Sequence, residues 1–318
     1  MGNELRIGVV GLGKMGLLHA SLINTIQGAR LAAVCEKSSL VERFAKKILP
    51  EVLVAHELAQ LTGKGLDAIF VTTPIPTHYP LVREIWDRGI ADDVFVEKTL
   101  ALKYDESKHL CALAERSGRT TMVGYQRRFT VTFAKAKELL EQGAVGTPVS
   151  FEAHGFSSDF SGSDEVMGSP SRGGVFRDLG SHAIDLALWF FGDLKAELSG
   201  GLLQDGFRAM TEDGLRGEFR ASWSLSGYRM PEIGVSVEGT EGSLKANDDM
   251  VELASREGAP RRWFRQDLVD GVPFLLGGAE YYRQDETFLR LVRDDRGSEN
   301  SFLQASRVDR IIEEAGVQ

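Results

Sequence analysis

The segment Gly11-Leu12-Gly13-Lys14-Met15-Gly16 constrains this chain more than any other. An apolar run, Arg6–Val10, leads into it and a helical pattern follows. Glu36 stands 20 residues beyond Gly16, at the end of a second apolar run. In that setting the three glycines have separate duties. Gly11 permits a tight turn, Gly13 lets the backbone approach a pyrophosphate, and Gly16 lets the helix pack close to the strand. Free N–H groups and a partial positive charge at the helix start favour phosphate. The segment therefore predicts a dinucleotide site, with Lys14 and Met15 inside the motif. Glu36 is placed to accept from the adenosine ribose hydroxyls, and its charge repels a 2′-phosphate, which favours NAD. Lys37 and Ser38 follow directly and could hold such a phosphate, so NADP stays open as a second cofactor.

The rhythm of the chain changes near Gly124. Before it, short apolar runs alternate with helical patterns: Arg6–Val10, Leu31–Cys35, Val52–Ala55, Ala68–Thr72, Val94–Val96 and Thr121–Gly124. Strands alternating with helices predict βαβ units and a doubly wound parallel sheet. After it, the pattern predicts a helix over Phe129–Gln142, a strand over Val149–Phe156, a loop over Ser157–Gly174 and a strongly apolar helix over Val175–Phe191. Strand-like pieces broken by glycine run from Leu198 to Ala254, and helices near Glu280–Val292 and Ser301–Ala315 follow. The expected fold is thus an α/β Rossmann domain, residues 1–124, followed by an α+β domain, residues 125–318, with a large, mainly antiparallel open sheet.

With 318 residues the chain has room for two cores. It carries 46 acidic against 37 basic side chains, a net charge of −9, which repels phosphate backbones and argues against a nucleic-acid partner. No stretch is long and apolar enough for a membrane span, and the N-terminus lacks the basic and apolar regions of a signal peptide. Cys35 and Cys111 lack metal-ligand spacing and fit buried thiols in a reducing cytoplasm, so a cytoplasmic protein with no metal is expected.

Two segments suggest chemistry. The fifth predicted strand ends in Val94-Phe95-Val96-Glu97-Lys98, and ligands bind beyond the carboxyl ends of strands in such sheets, which places Lys98 in the cleft. In the helix Val175–Phe191, Asp178, His182 and Asp185 are spaced four and three apart and share one face of an otherwise apolar element. A carboxylate beside an imidazole makes an acid–base pair that works near neutral pH. The same spacing suits a structural Asp–His hydrogen bond equally well.

These segments resemble the Gfo/Idh/MocA oxidoreductase family over nearly the whole chain. The motifs are GLGKMG, TTPIPTH at Thr72–His78, EKTL at Glu97–Leu100 and RGGVFRDLGSHAID at Arg172–Asp185, supported by GYQRRF at Gly124–Phe129 and EGTEGSL at Glu238–Leu244. The resemblance implies that Lys98 is the catalytic lysine, His182 the acid–base histidine and Asp178 its substrate-contacting partner. It places Thr72, Thr73, Pro74 and His78 against the cofactor and Glu97 at the nicotinamide side. It also implies an open sheet that packs against another subunit, giving a homodimer or homotetramer. Two departures stand out. Thr99 replaces the family's usual proline and removes a backbone constraint beside Lys98. Arg172 replaces a glycine and could bind an anionic substrate group.

The expected reaction is reversible oxidation of a secondary alcohol on a sugar, polyol or sugar derivative. His182 would remove the hydroxyl proton and Lys98 would stabilise charge on the oxygen. Tyr125, Arg127 and Arg128 would shape the substrate pocket together with Arg172 and Asp185, and the Arg127–Arg128 pair could equally make structural ion pairs. The rival readings are a lyase or glycosidase that retains NAD and oxidises its substrate transiently, and a non-catalytic sensor.

Overall fold

The computed structural model describes residues 4–158, 165–166, 169–197, 206–269, 271–272, 278–294 and 301–317. The first stretch runs β1 (Leu5–Val10), α1 (Lys14–Ile23), β2 (Ala29–Cys35), α2 (Ser39–Ile48), β3 (Leu53–Ala55), β4 (Ala68–Val71), α3 (His78–Asp87), β5 (Asp93–Glu97), α4 (Tyr104–Ser117) and β6 (Thr121–Gly124). Next come α5 (Val131–Glu141), β7 (Pro148–Phe156) and the short pair β8 (Glu165–Val166) and β9 (Ser169–Pro170). A turn of π-helix, Phe176–Gly180, runs into α6 (Ser181–Phe191). The strands β10 (Leu194–Ala196), β11 (Gly206–Thr211), β12 (Arg216–Ser222), β13 (Glu232–Gly239), β14 (Gly242–Asn247), β15 (Met250–Ser255) and β16 (Arg261–Phe264) follow, then α7 (Ala279–Asp294) and α8 (Phe302–Ala315).

The first unit holds a parallel sheet in the order β3-β2-β1-β4-β5-β6. Helices cover both faces of such a sheet, so its central strands are apolar throughout. Ala68–Val71 and Val94–Val96 are buried at every position. The strand order reverses between β1 and β4, and the crevice for a dinucleotide opens at such a reversal. This unit comprises 1–124 with 165–171 and 272–306; the second comprises 125–164, 172–271 and 307–318. The two added segments of the first unit come from beyond the contiguous 1–124 expected from the sequence. Tyr282, Phe288 and Leu289 of α7 draw the second of them in by joining the core built on Phe70 and Phe95.

The second unit is built on an eight-stranded sheet, β10-β11-β12-β7-β13-β14-β15-β16, antiparallel except between β12 and β7. Phe151, Ala153 and Gly155 of β7 alternate inward. A Cβ on Gly155 would lie 2.8 Å from the Leu179 carbonyl, so only glycine lets the π-turn rest this close to β7. The helix expected over Phe129–Gln142 is α5, starting two residues later. A 3₁₀ turn at Gln126–Phe129 ends at Thr130, whose extended backbone separates it from α5. The loop expected over Ser157–Gly174 contains the β8–β9 pair; residues 159–164 and 167–168 of it, and residues 198–205 of the strand-rich region, lie outside the described residues.

Candidate active site

In the first unit, a cleft of about 770 Å³ opens at the carboxyl ends of β1, β2 and β4. The glycine loop forms its floor, and Glu36, Lys37, Thr72, Thr73 and Pro74 form its sides. The glycines match what a dinucleotide requires. Gly11 has a φ of +90°, open to glycine at little cost, and a Cβ there would strike Thr73 Cγ2 at 2.6 Å. A Cβ on Gly16 would lie 1.8 Å from the Gly11 carbonyl, so any other residue would push α1 off the sheet. At Gly13 a Cβ would meet nothing within 4 Å; it would fill the space through which a pyrophosphate reaches the N–H groups at the start of α1.

Glu36 is locked at the other end of the loop. Its Oε2 accepts from the Leu12 N–H and its Oε1 from the Ser38 N–H, each at 2.7 Å. A carboxylate keeps further lone pairs, so ribose hydroxyls can still be accepted. The Thr72 hydroxyl donates back to the Gly11 carbonyl at 2.7 Å, and Thr77 donates to Thr73 at 2.7 Å. Lys14 is exposed and Met15 half-buried in the first turn of α1. His78 is fully buried and does not line this cleft. Its ring nitrogens lie 2.7 Å from the Thr73 carbonyl and 2.8 Å from the Thr99 carbonyl, so it joins two loops rather than facing the cofactor. Burial pushes the His78 ring below its ordinary value.

Lys98 is half-buried at the carboxyl end of β5, and its backbone N–H donates to Glu97 Oε2 at 3.2 Å. The Lys98–Thr99 peptide bond is cis. Thr99 is fully buried, and its carbonyl lies against His78, so the loop after Lys98 is tied down even without the proline. Glu97 is itself held by His19 of α1, which packs against Phe70 and Phe95 and contacts Asp285 of α7. The sequence reading did not single out His19 or Asp285. His19 follows the glycine motif by three residues, but Asp285 is 266 positions away and carries no local signal.

In the second unit, the three polar residues of the expected stripe have different partners. Asp178 lies in the π-turn, where its Oδ2 accepts from Arg172 Nη1 at 3.0 Å and from the indole N–H of Trp223 at 3.1 Å. Its side chain keeps 14% of its surface exposed. His182, one turn on, is buried with its ring edge toward Tyr125, centroids 6.3 Å apart. Asp185 is almost fully buried and is gripped by both arms of Arg128, Nε at 2.8 Å and Nη2 at 2.6 Å. Burial lifts the Asp185 carboxyl, and the Arg128 charge opposes the rise. Asp185 therefore anchors α6 to the turn before α5 and does not present a free carboxylate. Tyr125 is buried as well, and burial drives its phenol well above its ordinary value. Its ring lies nearly perpendicular to that of His182. Arg127 pairs with Asp248 at 3.1 Å. Of the residues expected to shape a substrate pocket, Arg172 is the most exposed, with 40% of its side chain open. Trp223, Asp248 and Asp309 (the partner of the buried Arg177) were missed because each reaches this region from a distant part of the chain.

Among the described residues no group of three or more His, Cys, Asp or Glu side chains is arranged to hold a metal ion, and no helix is long and apolar enough to cross a membrane.

Comparison with known proteins agrees with this geometry. Residues 5–125 match the oxidoreductase family with an NAD-binding Rossmann fold, and residues 133–245 match the GFO/IDH/MocA C-terminal domain. The chain is 30% identical over 260 residues to the NAD⁺-dependent scyllo-inositol 2-dehydrogenase of Bacillus subtilis, covering 77% of this chain and 74% of that one. It is 30% identical over 303 residues to the uncharacterized oxidoreductase YdgJ of Escherichia coli, covering 91% and 85%. Levoglucosan dehydrogenase, solved with NADH and levoglucosan, shares the fold at a TM-score of 0.81 and 20% identity, over 98% of this chain and 97% of that one. The glycine loop, the acidic residue that closes it and these matches lead to one conclusion: the chain belongs to the Gfo/Idh/MocA family of NAD-dependent oxidoreductases, acting on alcohol groups.

Proposed function

We propose that this enzyme oxidises, reversibly, a secondary alcohol on a cyclic polyol or sugar. The observation that carries the proposal is Lys98, half-buried at the carboxyl end of β5 in the sheet whose glycine loop fits the dinucleotide. NAD, when bound, accepts the hydride. The Lys98 ammonium would steady negative charge growing on the substrate oxygen. His182 would take the hydroxyl proton, with Tyr125 packed against its ring edge and limiting its rotation. Asp178, still partly exposed, would accept from a second substrate hydroxyl, and its bond from Trp223 would fix its direction. Relatives named for inositol and sugar substrates support the class: the scyllo-inositol enzyme above, a myo-inositol 2-dehydrogenase of Thermotoga maritima at 25% identity and a D-apiose dehydrogenase of Paraburkholderia graminis at 26%.

The test is NADH formation with scyllo-inositol, myo-inositol, D-apiose, D-glucose and levoglucosan, on the wild type and on Lys98→Ala. Turnover of at least one is expected. Lys98→Ala should lower kcat by roughly 10²–10⁴, the range for one positioned electrostatic or acid–base group, with NAD binding little changed. Full kcat in that variant removes Lys98 from the chemistry. No NADH from any of the five overturns the substrate class.

A further inference from the structure

A buried chain of hydrogen bonds runs behind Lys98. His19, on α1, is fully buried. Its Nδ1 lies 2.7 Å from Asp285 Oδ2 on α7, and its Nε2 lies 2.9 Å from Glu97 Oε1 at the end of β5. The other Glu97 oxygen accepts the Lys98 backbone N–H at 3.2 Å. The carboxylate rests against β6 at Gly124, where a Cβ would come within 3.1 Å of Oε1, so the sheet leaves space for it. Phe70, Phe95 and Tyr281 surround the imidazole, with centroids at 5.4, 5.2 and 6.4 Å.

Ionised carboxylates only accept, so both bonds call for ring N–H groups and thus an imidazolium. Burial opposes that charge and also lifts the Asp285 carboxyl, a rise the His19 charge opposes; the Asp285 and Glu97 carboxylates outweigh burial at the ring and push His19 up to about 10. The chemistry proposed above makes no use of His19 or Asp285. A purely structural ion pair would need one carboxylate; here the second is the residue bonded to the Lys98 backbone. Without a cation beside it, a carboxylate this buried loses the partner that fixes its direction.

We propose that His19 is a positioning residue: braced by Asp285, it holds the Glu97 carboxylate in the orientation that sets Lys98 at the end of β5. The inference rests on the reading that Lys98 meets the reacting oxygen. Two substitutions at one position separate positioning from packing. His19→Gln can keep a donor near the Nε2 position, facing Glu97. His19→Asn keeps one near Nδ1, facing Asp285, and loses the link to Glu97.

The probe is limiting acetic anhydride, with acetylation of Lys98 read by mass spectrometry relative to the exposed Lys46. Wild type, His19→Gln, His19→Asn and Asp285→Asn are compared, each with its melting temperature and NAD dissociation constant. His19→Asn and Asp285→Asn should change the relative rate at Lys98 by about threefold or more, the scale on which a displaced charge alters a neighbouring amine. His19→Gln, which keeps the link to Glu97 but loses the brace from Asp285, should change it by less than His19→Asn does. Unchanged labelling in His19→Asn overturns the proposal. So does a change in His19→Gln as large as in His19→Asn, which marks a packing role. If His19→Asn does not fold, Asp285→Asn carries the test, and unchanged labelling there overturns it. The two readings fail separately: unimpaired kcat in Lys98→Ala sinks the catalytic assignment, whereas invariant Lys98 labelling sinks only the relay.

Discussion

Glu36 serves two roles at the residue scale, and they can be told apart. Its carboxylate closes the glycine loop through Leu12 and Ser38, and it faces the side of the cleft where the adenosine ribose belongs. Hydrogen bonds to a charged group are worth about 1.5–3 kcal/mol each, so Glu36→Ala should weaken NADH binding by roughly tenfold or more. NADPH binding should fall much less, because the same change removes the charge that repels a 2′-phosphate. Titrating both nucleotides by fluorescence checks this; parallel losses would show that Glu36 only shapes the loop. The glycine loop and the place of Glu36 were legible in the sequence because they are set by neighbours within one βαβ unit, and the place of Lys98 because it ends an apolar strand run. The Glu97–His19–Asp285 chain was not, since it joins three elements that meet only after the sheet has formed.

At the element scale, α6 and the π-turn before it show what periodicity can and cannot deliver. The sequence spacing put Asp178, His182 and Asp185 on one helical face. The turn at Phe176–Gly180 is wound as π-helix, and the three side chains go to separate partners. π-turns recur at functional sites, but a hydrophobic pattern does not reveal them, because inserting one residue shifts the face without changing composition. The parallel strands, by contrast, were readable as continuous apolar runs, since all but the edge strand β3 are buried along most of their length. The Arg128–Asp185 pair joins α6 to the turn before α5 with little access to water. Removing one partner of a buried pair leaves an uncompensated charge and costs about 3–5 kcal/mol. Arg128→Met should therefore lower the melting temperature sharply, and Arg128→Met with Asp185→Leu should recover much of the loss. An Arg128→Met protein as stable as wild type would show the pair to be dispensable.

For the molecule as a whole, the open question is the outward face of the eight-stranded sheet. Inward positions of β7, β12 and β13 are apolar and buried; outward ones include Glu152, His154, Glu218, Arg220 and Glu232. Several pair among themselves, Arg208 with Glu218 at 2.8 Å and His154 with Glu232 at 3.2 Å. Beside them His154 stacks on Phe156, and Phe156 meets Tyr228 at a tilt, with centroids 5.1 Å apart. Aromatic groups amid paired charges suit a polar, hydrated subunit contact, and interfaces of that kind are common. We predict a homodimer or homotetramer joined through this face. Sedimentation equilibrium at micromolar concentration should give two or four times the monomer mass, and Phe156→Arg should dissociate it. A monomeric wild type would refute the prediction.

The recruitment of α7 into the first unit bears on how the protein is made. Translation proceeds from the N-terminus, and domains tend to fold as they emerge. Here the sheet of residues 5–124 leaves the ribosome with its aromatic layer covered only in part, by His19 of α1. Phe288 stacks edge-on to Phe70 at 5.3 Å, and Asp285 binds His19; both are synthesised more than 150 residues later. The nascent Rossmann sheet must therefore wait for most of the second unit to be translated before its own core can close. Throughout that interval its apolar face is one that chaperones would recognise, and a fragment ending at Gly124 would keep it open permanently.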